Sequence, residues 1–342
     1  MIIVNREIPP LSEFGIGIPV SDERDSKSIS YLSSLSGIGK AIDPLLIENR
    51  EDSLQPGISK GDILRAHDPV YTEGIFGDRL EMLLIKAFEL IDEQGNYNRY
   101  DPERAHYPLD QLLSALMAKT RGSCLCTEQA LDTGFAFYFG GGFHHAHSDF
   151  GHGFCLINDI VIAAKRLIHL KRVKTVWIID IDAHRGDGTA ALTQDDPSIR
   201  TLSIHMASGW PLDRPEYLPS GKRHPSFIPG DIDIPIFEGE EERYNRELSR
   251  GLRELNGYLK PDLAIVVAGS DPYERDTLPS SSKLNLSLEQ MLERDEIVYH
   301  FLSEQKIPSA YLMAGGYSPD SWEIYARFLE MVLTRRSGSD FE

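Results

Sequence analysis

Phe139 to Asp159 reads FGGGFHHAHSDFGHGFCLIND, and the rest of the chain is read outward from this stretch. An apolar run, Phe135 to Phe139, leads into it and is expected to form a buried strand that ends at three glycines. His144 and His145 follow side by side, then a second glycine-rich turn at Gly151 and Gly153, then Phe154-Cys155. A helical pattern runs from Leu156 to Leu170. Adjacent loop histidines cannot both point into a core, so at least one is expected to face a cavity. In open α/β sheets, ligands bind at the C-terminal ends of the strands, where this loop falls. The flanking glycines and apolar residues argue against two solvated surface histidines.

Outward from this stretch, apolar runs alternate with helical patterns. Strands are expected at 133–139, 174–180, 200–205, 232–236, 262–268 and 309–314, and helices at 156–170, 188–194, 240–258, 287–304 and 320–335. Before them, Leu80 to Ile91 is apolar at helical spacing, and Leu109 to Leu131 reads as one or two helices. Asp62 to Phe76 is expected to place His67 and Tyr71 at a strand end turning into a helix, and residues 1–60 read as irregular. Turn signals in that first segment lie at Pro9-Pro10 and Pro56-Gly57. Asp92 to His106 has the polarity of a surface loop able to rim a site. A long loop holding Trp210 and five prolines precedes strand 232–236. Alternating strands and helices imply an α/β fold: one open parallel sheet of about eight strands with helices on both faces. No repeat or interdomain linker stands out, so residues 1–342 are read as a single domain.

Of 342 residues, 41% are hydrophobic and 26% charged, enough for a substantial core. A formal net charge of -18 argues against direct nucleic-acid binding, which needs clustered cations, and mildly favours a cationic substrate. The start, MIIVNREIPP, has neither a basic n-region nor an apolar h-region, no run approaches a membrane span, and the expected location is cytoplasmic. Cys124, Cys126 and Cys155 cannot complete a structural zinc site and read as small buried residues.

Three further strand ends carry polar residues. Val176 to Thr189, VWIIDIDAHRGDGT, places Asp180, Asp182, His184 and Asp187 behind an apolar run. On a strand the first three would share a face, and so many acids would repel one another unless a cation sat among them. Ala264 to Asp276, AIVVAGSDPYERD, ends a strand at Gly269 with Asp271 close behind. Tyr311 to Ser318, YLMAGGYS, ends in two glycines that would let Tyr317 approach a neighbouring backbone closely. Each is weak alone, since Asp and Gly are common turn residues. Together they supply two aspartates and a histidine for a catalytic metal with an open position, a histidine pair for proton transfer, and a hydroxyl for a developing oxyanion.

These residues resemble the zinc-dependent histone deacetylase family of the arginase–deacetylase fold, with closest likeness to bacterial and class IV-like members. GGGFHHA, HGFC, DIDAHRGDGT, GSDP and GGY occur in family order and spacing over roughly residues 60–335, with weaker likeness at FGIGIPVSDER. The resemblance implies one zinc per chain on Asp182, His184 and Asp271. It makes His145 the general base, oriented by Asp187, and His144 its tandem partner, paired with Asp180. Tyr317 would polarise the acyl carbonyl. Phe154 matches one wall of an acyl-lysine channel, Gly153 its narrow floor, and Leu278 another channel position. Asp180, Asp182, His184 and Ser203 match an inner potassium site. Departures exist: Arg185 stands where His, Gln or Asn is commoner. The loop from 92 to 110 leaves Asp101 and Asp110 only as candidates for substrate-backbone contacts. The Trp210 loop aligns too loosely to assign the opposite channel wall. His147 and His152 read as structural or rim residues rather than ligands.

The implied activity is metal-dependent removal of acetyl or longer acyl groups from lysine side chains of proteins or peptides. Deacetylation of polyamines or small metabolites is the alternative, with Leu278 standing where the eukaryotic polyamine deacetylase uses a glutamate. A dinuclear ureohydrolase would need DxHxD and DxDxxDP patterns, and residues 182–186 and 271–273 lack the extra acids. A catalytically silent acyl-lysine-binding module would be expected to lose a ligand, the histidine pair or the tyrosine, and none is missing.

Overall fold

The computed structural model of the protein describes residues 1–5, 8–39, 42–49 and 57–339. Eight parallel strands make one sheet in the order β2-β1-β3-β8-β7-β4-β5-β6. They are β1 (Ile2–Asn5), β2 (Leu46–Asn49), β3 (Phe135–Tyr138), β4 (Val176–Asp180), β5 (Ile199–Met206), β6 (Ile232–Ile236), β7 (Leu263–Val267) and β8 (Ser309–Leu312). Every residue of the four central strands β3, β8, β7 and β4 is buried, as a parallel sheet covered on both faces requires. The edge strand β6 instead alternates and tolerates Pro235, a residue that cannot donate to a ladder.

Helices cover both faces. On one side lie α1 (Arg24–Ser34), α8 (Tyr244–Leu255), α9 (Leu288–Glu304) and α10 (Ser321–Ser339), and they share a core with Trp177 and Ile179 of β4. On the other lie α2 (Lys60–Ile63), α3 (Pro69–Ile75), α4 (Leu80–Ala87), α5 (Leu112–Thr133) and α6 (Asp159–His169), packed with Val176 and Ile178. The period-2 alternation along β4 thus feeds two separate cores from one strand. A short helix, α7 (Asp187–Thr193), follows the loop after β4. No helix among the described residues is long and apolar enough to cross a membrane.

Two expectations need correction. Residues 1–60 are not irregular: they hold β1, α1 and β2, whose two short strands carry none of the motifs that mark the exits of β3 and β8. Of the turn signals there, Pro56 lies outside the described residues. Segment 62–76 contains no strand end. It is helical on both sides of Asp68-Pro69, where the Asp68 carboxylate accepts from the N–H of Val70 and Tyr71 and Pro69 fills the first helical position.

His67, between those helices, is fully enclosed. Its Nδ1–H donates to the carbonyl of His147 at 2.8 Å, and its Nε2 accepts the N–H of Asn158 at 3.0 Å, which fixes a neutral tautomer. Burial lowers its pKa to about 4. An unfolded histidine takes up its proton near pH 6.5, so stability contributed by the neutral ring is lost as pH falls from there toward 4. The loss is about 3 kcal/mol at roughly 1.4 kcal/mol per pH unit. His67→Gln is therefore expected to flatten the pH dependence of urea unfolding between pH 6.5 and 4, and an unchanged slope would refute the assignment.

Candidate active site

The four polar strand ends become neighbours because β3, β8, β7 and β4 are adjacent in the sheet. After β3 the glycine loop is pinned by a buried carboxylate: Asp159, at the start of α6, accepts the N–H of Gly142 at 3.0 Å, the N–H of Phe143 at 2.7 Å and the hydroxyl of Ser123. After β4, Asp182 and His184 turn toward β7, and after β7 Asp271 turns toward β4. Beneath them the guanidinium of Arg294, wholly buried on α9, donates to the carbonyls of Ile181 at 3.0 Å and Gly269 at 2.7 Å. It clamps the two backbones that present these acids.

Asp182, His184 and Asp271 place one donor atom each within 4.8 Å of one another, all buried. His184 Nδ1 is 3.3 Å from Asp182 Oδ1 and 2.9 Å from Asp271 Oδ2. Burial, and the charge of Asp182 beside it, push the Asp271 carboxyl up to about 7. Two carboxylates and an imidazole are a fitting donor set for a catalytic divalent ion with an open coordination position. The third strand end closes over them. The N–H of Gly315 donates to Asp182 Oδ2 at 3.1 Å, and a Cβ at Gly315 would collide with the same carboxylates. Gly316, at φ +137, passes so near the Ser270 hydroxyl that only glycine fits. The glycine pair thus brings the loop against the acids as well as against neighbouring backbone.

Both His144 and His145 line the cavity, and their environments differ. His144 Nδ1 lies 2.7 Å from Asp180 Oδ2, and its Nε2 is 3.6 Å from Asp182 Oδ1. Burial works to lower its pKa, but Asp180 and Asp182 outweigh it and raise the ring to about 9. His145 Nδ1 donates to Asp187 Oδ1 at 2.8 Å. Burial and the neighbouring His144 hold its pKa well below the ordinary histidine value, so the ring stays neutral with Nε2 free to take a proton. His147 and His152 are not rim residues. Both are buried, each with Nε2 at 3.1 Å from Asp187 Oδ2.

A cavity of about 290 Å³ joins these groups to Gly153, Phe154, Tyr317 and the Gly140–Gly142 loop. Tyr317 faces Phe154 at 6.4 Å between rings, and its N–H donates to Asp276 Oδ2 at 2.7 Å. Among the described residues its hydroxyl has no protein partner, and burial raises its pKa well above 10, so it remains a donor. Gly153, at φ +58, abuts His145 and the ring of Trp210, where any side chain would collide. Ser203 pairs with Asp180 across β4 and β5, and its Oγ accepts the N–H of Gly186 at 3.4 Å. Leu278, Asp101 and Asp110 do not line the cavity. Leu278 is buried beside it, and the Asp101 carboxylate accepts the N–H of Glu103 at 3.2 Å.

Sequence reasoning left four contributors unassigned. Trp210 stands edge-on to His145 at 4.4 Å and is 5.6 Å from His184, and no spacing in its proline-rich loop signalled this. Arg24 donates to the carbonyl of Gly316 at 3.0 Å and lines the cavity, as does Lys119. Arg294 hid in an ordinary helical pattern. Arg185 reaches Asp233 at 2.8 Å and the carbonyl of Ile228 at 2.7 Å, which makes it a brace for the β4 loop. The three cysteines are free and buried, as expected.

A family model described as the histone deacetylase domain matches residues 26–334. An uncharacterised protein of Picosynechococcus is 30% identical over 207 residues, 60% of this chain and 64% of that protein. Histone deacetylase 2 of Arabidopsis thaliana is 32% identical over 210 residues, 61% of this chain and 51% of the relative. The acetoin utilization protein AcuC of Staphylococcus aureus is 28% identical over 288 residues, 81% and 69%. The chain thus spans between half and two thirds of the first two relatives. The matched region takes in every strand end described above, and the chain belongs to the histone deacetylase domain family.

Proposed function

We propose that the chain is a zinc-dependent amidohydrolase that removes acetyl or longer acyl groups from lysine side chains of proteins or peptides. One observation carries the reading: the two histidines of the pair, each bonded through Nδ1 to its own buried aspartate, line the same cavity as a three-donor metal set. Asp182, His184 and Asp271 would hold the ion. When bound, it supplies Lewis acidity to the acyl carbonyl and to the attacking water.

The remaining steps belong to the protein. His145, neutral and oriented through Nδ1 by Asp187, takes the water's proton on Nε2 and returns it to the departing lysine amine. His144, charged through Asp180, supplies positive potential to the developing oxyanion. Tyr317 donates its O–H to the same oxygen. Phe154 and Gly153 guide an extended aliphatic chain, while Trp210 shields His145 from water. Potassium is proposed at Asp180, Asp182, His184 and Ser203, whose oxygen donors suit a hard cation. We propose that this machinery forms one catalytic domain acting in the cytoplasm.

Two measurements test the reading. Purified protein is expected to retain one equivalent of zinc through dialysis and to lose it in Asp271→Ala, and full retention in that variant would overturn the ligand set. Acetyl-lysine peptides of varied acyl length, assayed beside acetylpolyamines, are expected to be hydrolysed in preference. Turnover of polyamines alone would move the substrate assignment, and no turnover with zinc bound would favour a silent binding module.

A further inference from the structure

We infer that His145, His152 and Asp187 form a second divalent-cation site whose occupancy disables the proposed base. The effect on turnover rests on the function proposed above, while the binding does not. One donor atom from each residue lies within 4.8 Å of the other two, and all three residues are buried. His145 Nδ1 is 2.8 Å from Asp187 Oδ1, and His152 Nε2 is 3.1 Å from Asp187 Oδ2. The separations around His184 are similar, at 2.9 and 3.3 Å. Tetrahedral zinc, with bonds of about 2.0–2.1 Å, places neighbouring donors roughly 3.3 Å apart.

A second observation points to a ligand shared with Asp187. His152 Nε2 is buried and lies 3.1 Å from Asp187 Oδ2 without the alignment of a good hydrogen bond. A buried ring nitrogen left in that state is costly, and an ion shared with Asp187 would satisfy it. Orienting a base requires one imidazole on Asp187, and here three face it. His147 donates to Asp187 Oδ2 at 3.1 Å, the kind of outer contact that steadies a ligating carboxylate. Two imidazoles and a carboxylate select zinc-like ions over magnesium or calcium.

The proton balance sets the order of filling. Nδ1 of His145 carries the proton it donates to Asp187, and an ion needs that lone pair, so binding moves the ring's one proton to Nε2 and leaves the ring neutral. The second site is therefore weaker than the first, because filling it forfeits the His145–Asp187 hydrogen bond. With Nδ1 bound, Nε2 of His145 carries the proton and has no lone pair left to accept another.

Apoprotein titrated calorimetrically with Zn²⁺ tests this. Wild type is expected to take up a tight equivalent and then a weaker one that His152→Gln lacks. Wild-type turnover should peak at one equivalent and fall by about 10²-fold as the second fills, as for loss of a base. In His152→Gln that decline should vanish. A single equivalent in wild type, or a second one kept by His152→Gln, would overturn the proposal. Should the variant fail to fold, ¹⁵N imidazole spectra of wild type decide: the His145 and His152 ring signals must both shift with the second equivalent, and unmoved signals refute the site. If the protein shows no turnover at all, the proposed function fails, yet the stoichiometry still answers this question.

Discussion

His145→Ala is expected to lower kcat by about 10²–10⁴, the range for losing a general base, while zinc content stays at one tight equivalent. The ring is 2.8 Å from Asp187 through Nδ1 and lines the cavity, so the variant removes proton transfer without touching Asp182, His184 or Asp271. Asp187→Asn should act in the same direction, because the carboxylate holds the tautomer and stabilises the imidazolium. The pH profile carries an independent check. The active form is the neutral ring, and burial together with His144 depresses its pKa. Wild-type kcat should therefore hold as pH falls through 6.5, the ordinary histidine value, and decline only below it. Near-normal turnover in His145→Ala, with His144→Ala inactive, would mean that the two histidines have exchanged roles.

Tyr317→Phe is expected to cost about 10²–10³ in kcat, the scale of one oxyanion donor. The ring and its packing on Phe154 survive the substitution, and so does the N–H contact to Asp276, since both belong to atoms that remain. Only the hydroxyl is lost. A contact that strengthens as the carbonyl becomes tetrahedral is felt in kcat more than in KM. Steady-state kinetics on the purified variant, with folding checked by thermal melt, decides the matter. Unchanged kcat with an intact melt would leave carbonyl polarisation to the metal.

The parts of this molecule that could be read from residues alone are those where chemistry and periodicity coincide. Four apolar runs ending in His-His, Asp-x-Asp-x-His, Asp and Gly-Gly-Tyr announce strand ends, because acids and glycines interrupt a buried run only at its exit. The same logic fails for β1 and β2, which are no shorter than β3 and β8 but carry no such motif at their exits. It fails again at His67, where a capping aspartate and a proline open a helix instead of closing a strand. Trp210 and Arg294 meet the site only through tertiary packing, from a loop and a helix whose local patterns say nothing about their targets. His147 and His152 lie in the most telling stretch of the chain, yet their shared carboxylate, Asp187, is contributed by a different strand end. Three residues' worth of chemistry converge there without any spacing that relates them.

The position of β8 has a consequence for how the molecule is made. Residues 309–312 come late in the chain, yet this strand lies in the middle of the sheet, between β3 and β7. Until it docks, β2-β1-β3 and β7-β4-β5-β6 are two ribbons with no ladder between them, and pairing over so long a separation is slow. A nascent chain emerging at roughly 5–20 residues per second would expose the facing edges of both ribbons for many seconds. The glycine loop that completes the site follows that strand directly, so catalytic competence arrives only after β8 and its loop have been made. The interval between synthesis of β7 and of β8 should thus be one of high chaperone dependence, and a ribosome stalled before Ser309 would hold a chain with both edges open and no finished centre.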